Sequence, residues 1–148
     1  MQQTLILLKP DAVQRRLVGE ITARFERKGL RLVALKLVTP SRELAEKHYA
    51  VHKGKPFYES LLSFLTSGPT VAMVWEGREA INACRAIMGL TDGAKSPPGT
   101  IRGDFGLSVQ NNLVHGSDSP ENAVAEIALW FTPQELVSYT PSDSNWVG

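Results

Sequence analysis

The stretch Thr4–Val38, TLILLKPDAVQRRLVGEITARFERKGLRLVALKLV, decides the fold. Thr4 to Leu8 is a continuous apolar run ended by Pro10, the pattern of a buried strand. From Asp11 the period changes. Val13, Leu17, Ile21 and Phe25 recur every four residues with Arg15, Arg16, Glu20, Arg24 and Arg27 between them, which reads as an amphipathic helix stopped by Gly29. Arg31 to Val38 returns to a period of two and puts Val33, Leu35 and Leu37 on one face of a second strand. The chain therefore opens as a βαβ unit.

Outward from this unit, Pro40 and Ser41 open a helical stretch to about Val51, and Lys53-Gly54-Lys55-Pro56 turns it. Tyr58, Leu61, Leu62 and Leu65 then stripe another short helix, so a helical hairpin is inserted between strands. Ser67-Gly68-Pro69 breaks the chain before a third strand, Thr70 to Trp75, and a helix lined by Ile81, Cys84 and Met88. Gly89 to Gly103 has no period and reads as a long irregular loop, a length that favours function over idle connection. Phe105 to Val109 reads as the fourth strand. Ser119-Pro120-Glu121 supplies an N-cap, a first-turn proline and an acid matched to the helix dipole, for a helix turning Val124, Ile127, Ala128 and Phe131 inward. Thr132-Pro133-Gln134-Glu135 repeats the signal as a capping box, and the tail beyond Tyr139 is unpatterned. The expected fold is α+β, a ferredoxin-like sandwich. Its four-stranded antiparallel sheet carries packed helices, the inserted hairpin, and a C-terminal helix and tail.

A length of 148 residues, 43% hydrophobic and 21% charged, suits one globular domain spanning residues 1–148. Sixteen Lys and Arg against fifteen Asp and Glu leave a net charge of +1, so no global field favours nucleic acid or an anionic membrane. Any anion must be held by a local cluster. Leu5 to Leu8 is too short for a signal segment or a membrane span, and the lone Cys84 suits a reducing compartment, so the expected location is cytoplasmic.

Three tempting motifs fail on spacing or company. Gly89 to Ser96 imitates a P-loop, but its glycines are too close, Ala94 separates Gly93 from Lys95, and Pro97-Pro98 stands where a helix must begin. Asp104-Phe105-Gly106 matches the metal-binding triplet of protein kinases without the other loops of that fold. His48 and His52 stand four apart, but Tyr49 occupies the position where a zinc protease helix carries its glutamate, and no third ligand is nearby. They read as solvated helix histidines. The segment Asn111-Asn112-Leu113-Val114-His115-Gly116-Ser117-Asp118-Ser119 is different, because it ends a strand-like run with a histidine just before a helix N-terminus. A neutral imidazole is a competent nucleophile near pH 7. On this segment alone, a histidine that merely satisfies a turn reads equally well.

Four blocks, in order, carry a resemblance to the nucleoside diphosphate kinase family. They are Lys9-Pro10-Asp11-Ala12-Val13-Gln14-Arg15, Ser67-Gly68-Pro69, Gly99-Thr100-Ile101-Arg102-Gly103-Asp104-Phe105, and Asn112 to Ser119, the last resembling the active-site signature. The resemblance runs from Thr4 to the end of the chain. It implies that His115 is phosphorylated at Nδ1 in a ping-pong transfer of the terminal phosphoryl from a nucleoside triphosphate to a nucleoside diphosphate. It further implies that Glu126 orients Nε2, helped by Ser117, and that Lys9, Arg85 and Arg102 surround the phosphates. Thr91 resembles a hydroxyl that bonds phosphate, and Tyr49 a residue bordering the phosphate site. Phe57 resembles the aromatic on which the base stacks, with Leu61 and Val109 beside it and Asn112 reaching the sugar hydroxyls. The implied metal is Mg²⁺ carried by the substrate phosphates, with no protein-only cage.

Ala12 and Arg16 depart from glycines frequent in the family, and Gly93 stands where a proline often appears, which bears on loop stiffness and subunit contacts. The resemblance implies assembly as hexamers or tetramers; the length of the tail, whose apolar Trp146 and Val147 call for cover, favours a hexamer. The alternative is a single-stranded RNA-binding ferredoxin-like module. It needs paired aromatics on central strands and a basic surface, and Thr4–Leu8 and Val33–Leu37 contain no aromatic. A hydrolase using His115 with Asp118 would need a water-activating base or a serine elbow, and no Gly-x-Ser-x-Gly occurs.

Overall fold

The computed structural model describes every residue from Met1 to Gly148. The apolar run lies in strand β1 (Gln2–Leu8), whose side chains alternate between two separate cores. Leu5 and Leu7 enter one and Ile6 and Leu8 the other, which is why the run has no polar break. With β2 (Arg31–Val38), β3 (Thr70–Gly77) and β4 (Val114–Gly116), β1 builds a four-stranded sheet of order β2-β3-β1-β4. Each neighbouring pair is antiparallel. This is the ferredoxin-like α+β frame expected from the sequence.

Helices α1 (Pro10–Gln14), α2 (Val18–Lys28), α5 (Ala80–Met88) and α6 (Ile101–Phe105) contribute Ala12, Ile21, Phe25, Cys84, Met88 and Ile101 to the core of Ile6 and Leu8. Helices α3 (Arg42–His48), α4 (Tyr58–Leu65) and α7 (Pro120–Trp130) contribute Ala45, Leu62, Leu65, Ile127 and Trp130 to the other. The inserted hairpin and the C-terminal helix therefore close the face that a bare ferredoxin-like sheet would leave open. Leu5 to Leu8 and Ala72 to Trp75 are fully buried, so the central strands have no face on which to present aromatics to RNA bases. Several ends form as the sequence indicates. Ser41 and Ser119 cap α3 and α7, and the capping box at Thr132 and Glu135 is present.

Five expectations are corrected. The helix read from Asp11 to Gly29 is two helices, because Arg16 adopts φ 59°, a left-handed conformation that ends one and redirects the next. In β2 a register shift between Leu32 and Ala34 sends Val33 and Ala34 into the same core. Leu35 and Leu37 are left 53% and 65% exposed on the edge strand. Phe105 to Val109 is not a strand. Thr100 accepts the Gly103 N–H and starts α6, so Phe105 ends a helical turn and the fourth strand falls later, at Val114–Gly116. The inward stripe of α7 is Ala123, Ile127 and Trp130, continued by Phe131, while Val124 and Ala128, one position over, are exposed. The tail beyond Tyr139 forms one short helix, α8 (Ser144–Val147), with Trp146 exposed. No helix is long and apolar enough to cross a membrane.

The long loop is shorter in structure than in pattern. Asp92 caps a 3₁₀ turn at Gly93–Lys95, α6 takes up its last residues, and Ser96 Oγ bonds both Leu90 N–H and Thr100 Oγ1. Gly93 packs on the backbone of Gly106, where a Cβ would meet the carbonyl carbon at 2.5 Å. The loop is thereby pinned against α6.

Candidate active site

Strand alternation aims His115. Val114 enters the core of Ile6 and Leu8, so His115, paired with Leu7 across β1, faces the opposite side, toward α3 and α7. There His115 Nε2 lies 2.9 Å from Glu126 Oε1 on α7. Ser117 Oγ donates to the same oxygen at 2.7 Å and accepts the Leu5 N–H at 3.2 Å, which ties the carboxylate to β1. Burial works against the Glu126 charge, but the bonds from His115 and Ser117 outweigh it and hold its carboxyl below the usual range. An ionised Glu126 accepts only, so the network assigns the proton to Nε2 and leaves the Nδ1 lone pair free.

The cations come from distant segments. Lys9 Nζ, just past β1, donates to Asn112 Oδ1 at 2.9 Å, and Asn112 Nδ2 donates to Thr91 O at 3.1 Å. Desolvation, and then the neighbouring Arg102, lower the Lys9 ammonium to about 8 despite Asp11. Arg102 is buried and spends three N–H groups on backbone carbonyls, those of Asn112 (3.1 Å), Gly89 (3.2 Å) and Val114 (2.7 Å). Desolvation and then Arg85 bring its guanidinium down to about 10. Positive charge held out of water in this way is a standing attraction for an anion.

These groups line a cavity of about 390 Å³. Of the residues named from sequence, Lys9, Tyr49, Arg85, Thr91, Arg102, Asn112, His115 and Glu126 face it, and Ser117 stands behind Glu126. Tyr49 is buried, and desolvation pushes its phenol up to about 12. Phe57, Leu61 and Val109 are not part of the lining. Phe57 is 46% exposed, with the His52 ring 5.3 Å and Lys55 Nζ 5.8 Å from its ring. Val109 is exposed, and Leu61 packs partly on the core of Leu5 and Leu7. Another cavity of about 370 Å³, beside the C-terminus, offers Lys28, Arg31 and Arg78 but no histidine or cysteine.

His48 is not the solvated helix residue that its spacing suggests. Its ring centroid lies 4.6 Å from that of His115, and its Nδ1 accepts the Trp130 indole N–H at 3.2 Å. Burial, with His115 beside it, lowers it to about 3, so it is neutral at pH 7. The signal lay in Trp130: an indole buried on the inward stripe of α7 needs an acceptor, and a neighbouring helix must provide it. His48, His115 and Glu126 bring three ligand atoms within 4.8 Å of one another. That set is rich in nitrogen and already engaged in hydrogen bonds, whereas magnesium prefers oxygen.

Comparison with known proteins identifies relatives over the whole chain. The family model for nucleoside diphosphate kinase matches residues 2–136. The chain is 58% identical over 147 residues to the nucleoside diphosphate kinase of Carboxydothermus hydrogenoformans, covering 99% of each chain. Among solved structures, it is similar to a nucleoside diphosphate kinase family protein from Babesia bovis, with a TM-score of 0.98, 49% identity and full coverage of both chains. It is also similar to a halophilic nucleoside diphosphate kinase from Halobacterium salinarum solved in complex with CDP, with a TM-score of 0.97, 48% identity and coverage of 99% and 98%.

Proposed function

The chain belongs to the nucleoside diphosphate kinase family and is a phosphotransferase with that activity, and from this premise we propose that residues 1–148 act as one domain that transfers through His115. The Nδ1 lone pair attacks the terminal phosphorus of a nucleoside triphosphate. The bond from that phosphorus to the bridging oxygen breaks, and the electron pair leaves with the diphosphate. Nδ1 carries no proton to remove, and the Nε2 proton stays hydrogen-bonded to Glu126, whose charge balances the one that develops on the ring. A second nucleoside diphosphate reverses the step. One observation carries this reading: Nε2 is already held by Glu126 at 2.9 Å, and Glu126 by Ser117.

Lys9, Arg85, Arg102 and Thr91 face the phosphates in this reading, with Tyr49 at their border. Mg²⁺ arriving with the nucleotide spreads the phosphate charge. Asn112 keeps one Nδ2 hydrogen and one Oδ1 lone pair beyond its bonds to Thr91 and Lys9, enough to reach sugar hydroxyls. The exposed Phe57 ring stacks the base, flanked by Leu61 and Val109. Incubation with labelled ATP and Mg²⁺, without acceptor, is expected to leave an acid-labile, base-stable phosphoryl on His115, released on adding any nucleoside diphosphate. Label elsewhere, or none, overturns the reading.

We further propose that the protein works in the cytoplasm as a hexamer in preference to a tetramer. Support for assembly comes from Leu35 and Leu37 on the edge strand and Trp146 in the tail, apolar groups exposed in the single chain. Light scattering is expected to give a hexamer that truncation after Tyr139 loosens. A monomer at micromolar concentration refutes the assembly. Cell fractionation checks the location.

A further inference from the structure

One strained peptide unit lies between residues of the candidate site. Leu113 is fully buried yet holds φ 73°, and the Val114 N–H turns back to the Asn112 carbonyl at 2.8 Å, closing a γ-turn. The other two non-glycine residues at positive φ, Arg16 and Glu79, are exposed at helix boundaries, where strain relaxes easily. Leu113 has no such freedom, and its position matters more: it stands between Asn112 and His115, so the turn sets the angle between them. A bulky side chain stays in this region only when its surroundings over-determine it.

The restraints can be named. Lys9 N–H donates to the Leu113 carbonyl at 2.8 Å, and Arg102 grips the carbonyls on either side, at Asn112 and Val114. The Leu113 N–H donates to Asp11 Oδ2 at 3.1 Å, from 102 residues away in the chain. Asp11 is the part of the Lys9-Pro10-Asp11 block to which the transfer chemistry gives no task. A carboxylate beside a phosphate site repels the ligand. Its other oxygen, Oδ1, is buried without a partner, and desolvation drives its carboxyl above the usual range against Lys9 and its backbone donors. An acid serving only the dipole of α1 would sit in water, so the burial of this one is offset by what Oδ2 holds.

We propose that Asp11 is a positioning residue for phosphoryl transfer: its carboxylate locks Leu113 in the γ-turn, and the turn presents Asn112 and His115 in register with the cations. The inference rests on His115 being the phosphorylated nucleophile. Labelling of wild-type His115 serves as the control that separates failure of that reading from failure of this one.

Three variants test it. Asp11→Asn keeps an oxygen for the Leu113 N–H, Asp11→Leu fills the same volume without one, and Asp11→Leu with Leu113→Gly removes both the clamp and the strain it resists. Asp11→Asn is expected within about threefold of wild-type kcat, and Asp11→Leu about 10- to 100-fold below it, with the KM for ADP changed much less. The double variant is expected to regain at least about fivefold in kcat over Asp11→Leu while its Tm falls further, because glycine relaxes the turn but leaves a cavity. A merely structural Asp11 would move both quantities downward together. Equal kcat in Asp11→Asn and Asp11→Leu, or no gain in a folded double variant, overturns the proposal. Should the double variant not fold, the order of Asp11→Asn and Asp11→Leu decides.

Discussion

Arg102, Asn112 and Ser117, in or just behind the lining of the cavity that His115 faces, are buried, and each is held by hydrogen bonds of 3.2 Å or less. Outside that lining, Phe57 and Val109 are 46% and 57% exposed, and the Phe57 ring lies 5.3 Å from the His52 ring and 5.8 Å from Lys55 Nζ. On the proposed reading the first group is the phosphate end and Phe57 the base end, and the contrast follows from what each end recognises. Charge developing on a transferring phosphoryl is stabilised only by donors already aimed, since reorganising them would cost what they return. A base is accepted whatever its edge when the protein offers a ring face and no donor to read it. On that reading, rigidity and tolerance are kept in separate regions of the molecule.

The largest break in that contrast is His115→Ala. On the proposed reading it removes the only group that carries phosphoryl between half-reactions, so transfer is expected to fall by about 10⁴-fold or more with no phosphoprotein formed. Substantial turnover would mean that the ring is not the carrier. A smaller loss is expected for Glu126→Gln, about 10- to 100-fold in kcat, because the carboxylate orients the ring and is not consumed. Unchanged kinetics there would reduce the Glu126–His115 contact to a structural one. Phe57→Ala probes the other end. Loss of half-exposed stacking is expected to cost about 1 kcal/mol, roughly fivefold in KM. The loss should be similar for ADP, GDP, CDP and UDP, and a loss confined to one base would show that the base end reads edges after all.

The smallest effect sharpens the contrast through pH. Burial lowers His48 from the ordinary 6.5 to about 3, so between those values the unfolded chain binds a proton that the folded chain does not. Stability therefore falls as pH drops from about 6.5 toward 3. Glu126 adds to the same limb: its contribution is present above the ordinary carboxylate range and lost as pH falls through its lowered value. Tm measured from about pH 6.5 to about pH 4 is expected to decline less steeply in His48→Gln than in wild type. Parallel curves would show that His48 titrates normally and that this wall of the phosphate end is open to water.

Much of the fold is legible because burial and turn chemistry are local. The run Leu5 to Leu8, the stop at Gly29, the caps at Ser41 and Ser119 and the box at Thr132 each act within a few residues, and each forms as its pattern indicates. The elements that differ share a cause. Arg16 breaks a continuous helical period by a backbone angle that no side-chain pattern records, and the register shift at Val33 turns Leu35 and Leu37 outward from an alternation that looks regular. Phe105 reads as a strand residue because its apolar neighbours do not reveal that Thr100 caps a helix ahead of it.

Apolar period, capping residues and signature spacing are properties of the chain's order, so the α+β frame, the family and most of the residues about the cavity, though not His48, were legible without the structure. Only the tertiary structure decided how those residues act on one another. It placed His48 against His115, gave Glu126 to both His115 and Ser117, and brought Asp11 to Leu113 across 102 residues. Such contacts depend on strand order and on which face each side chain takes, and a shift of one residue in the register of β4 would turn His115 to the other side of the sheet.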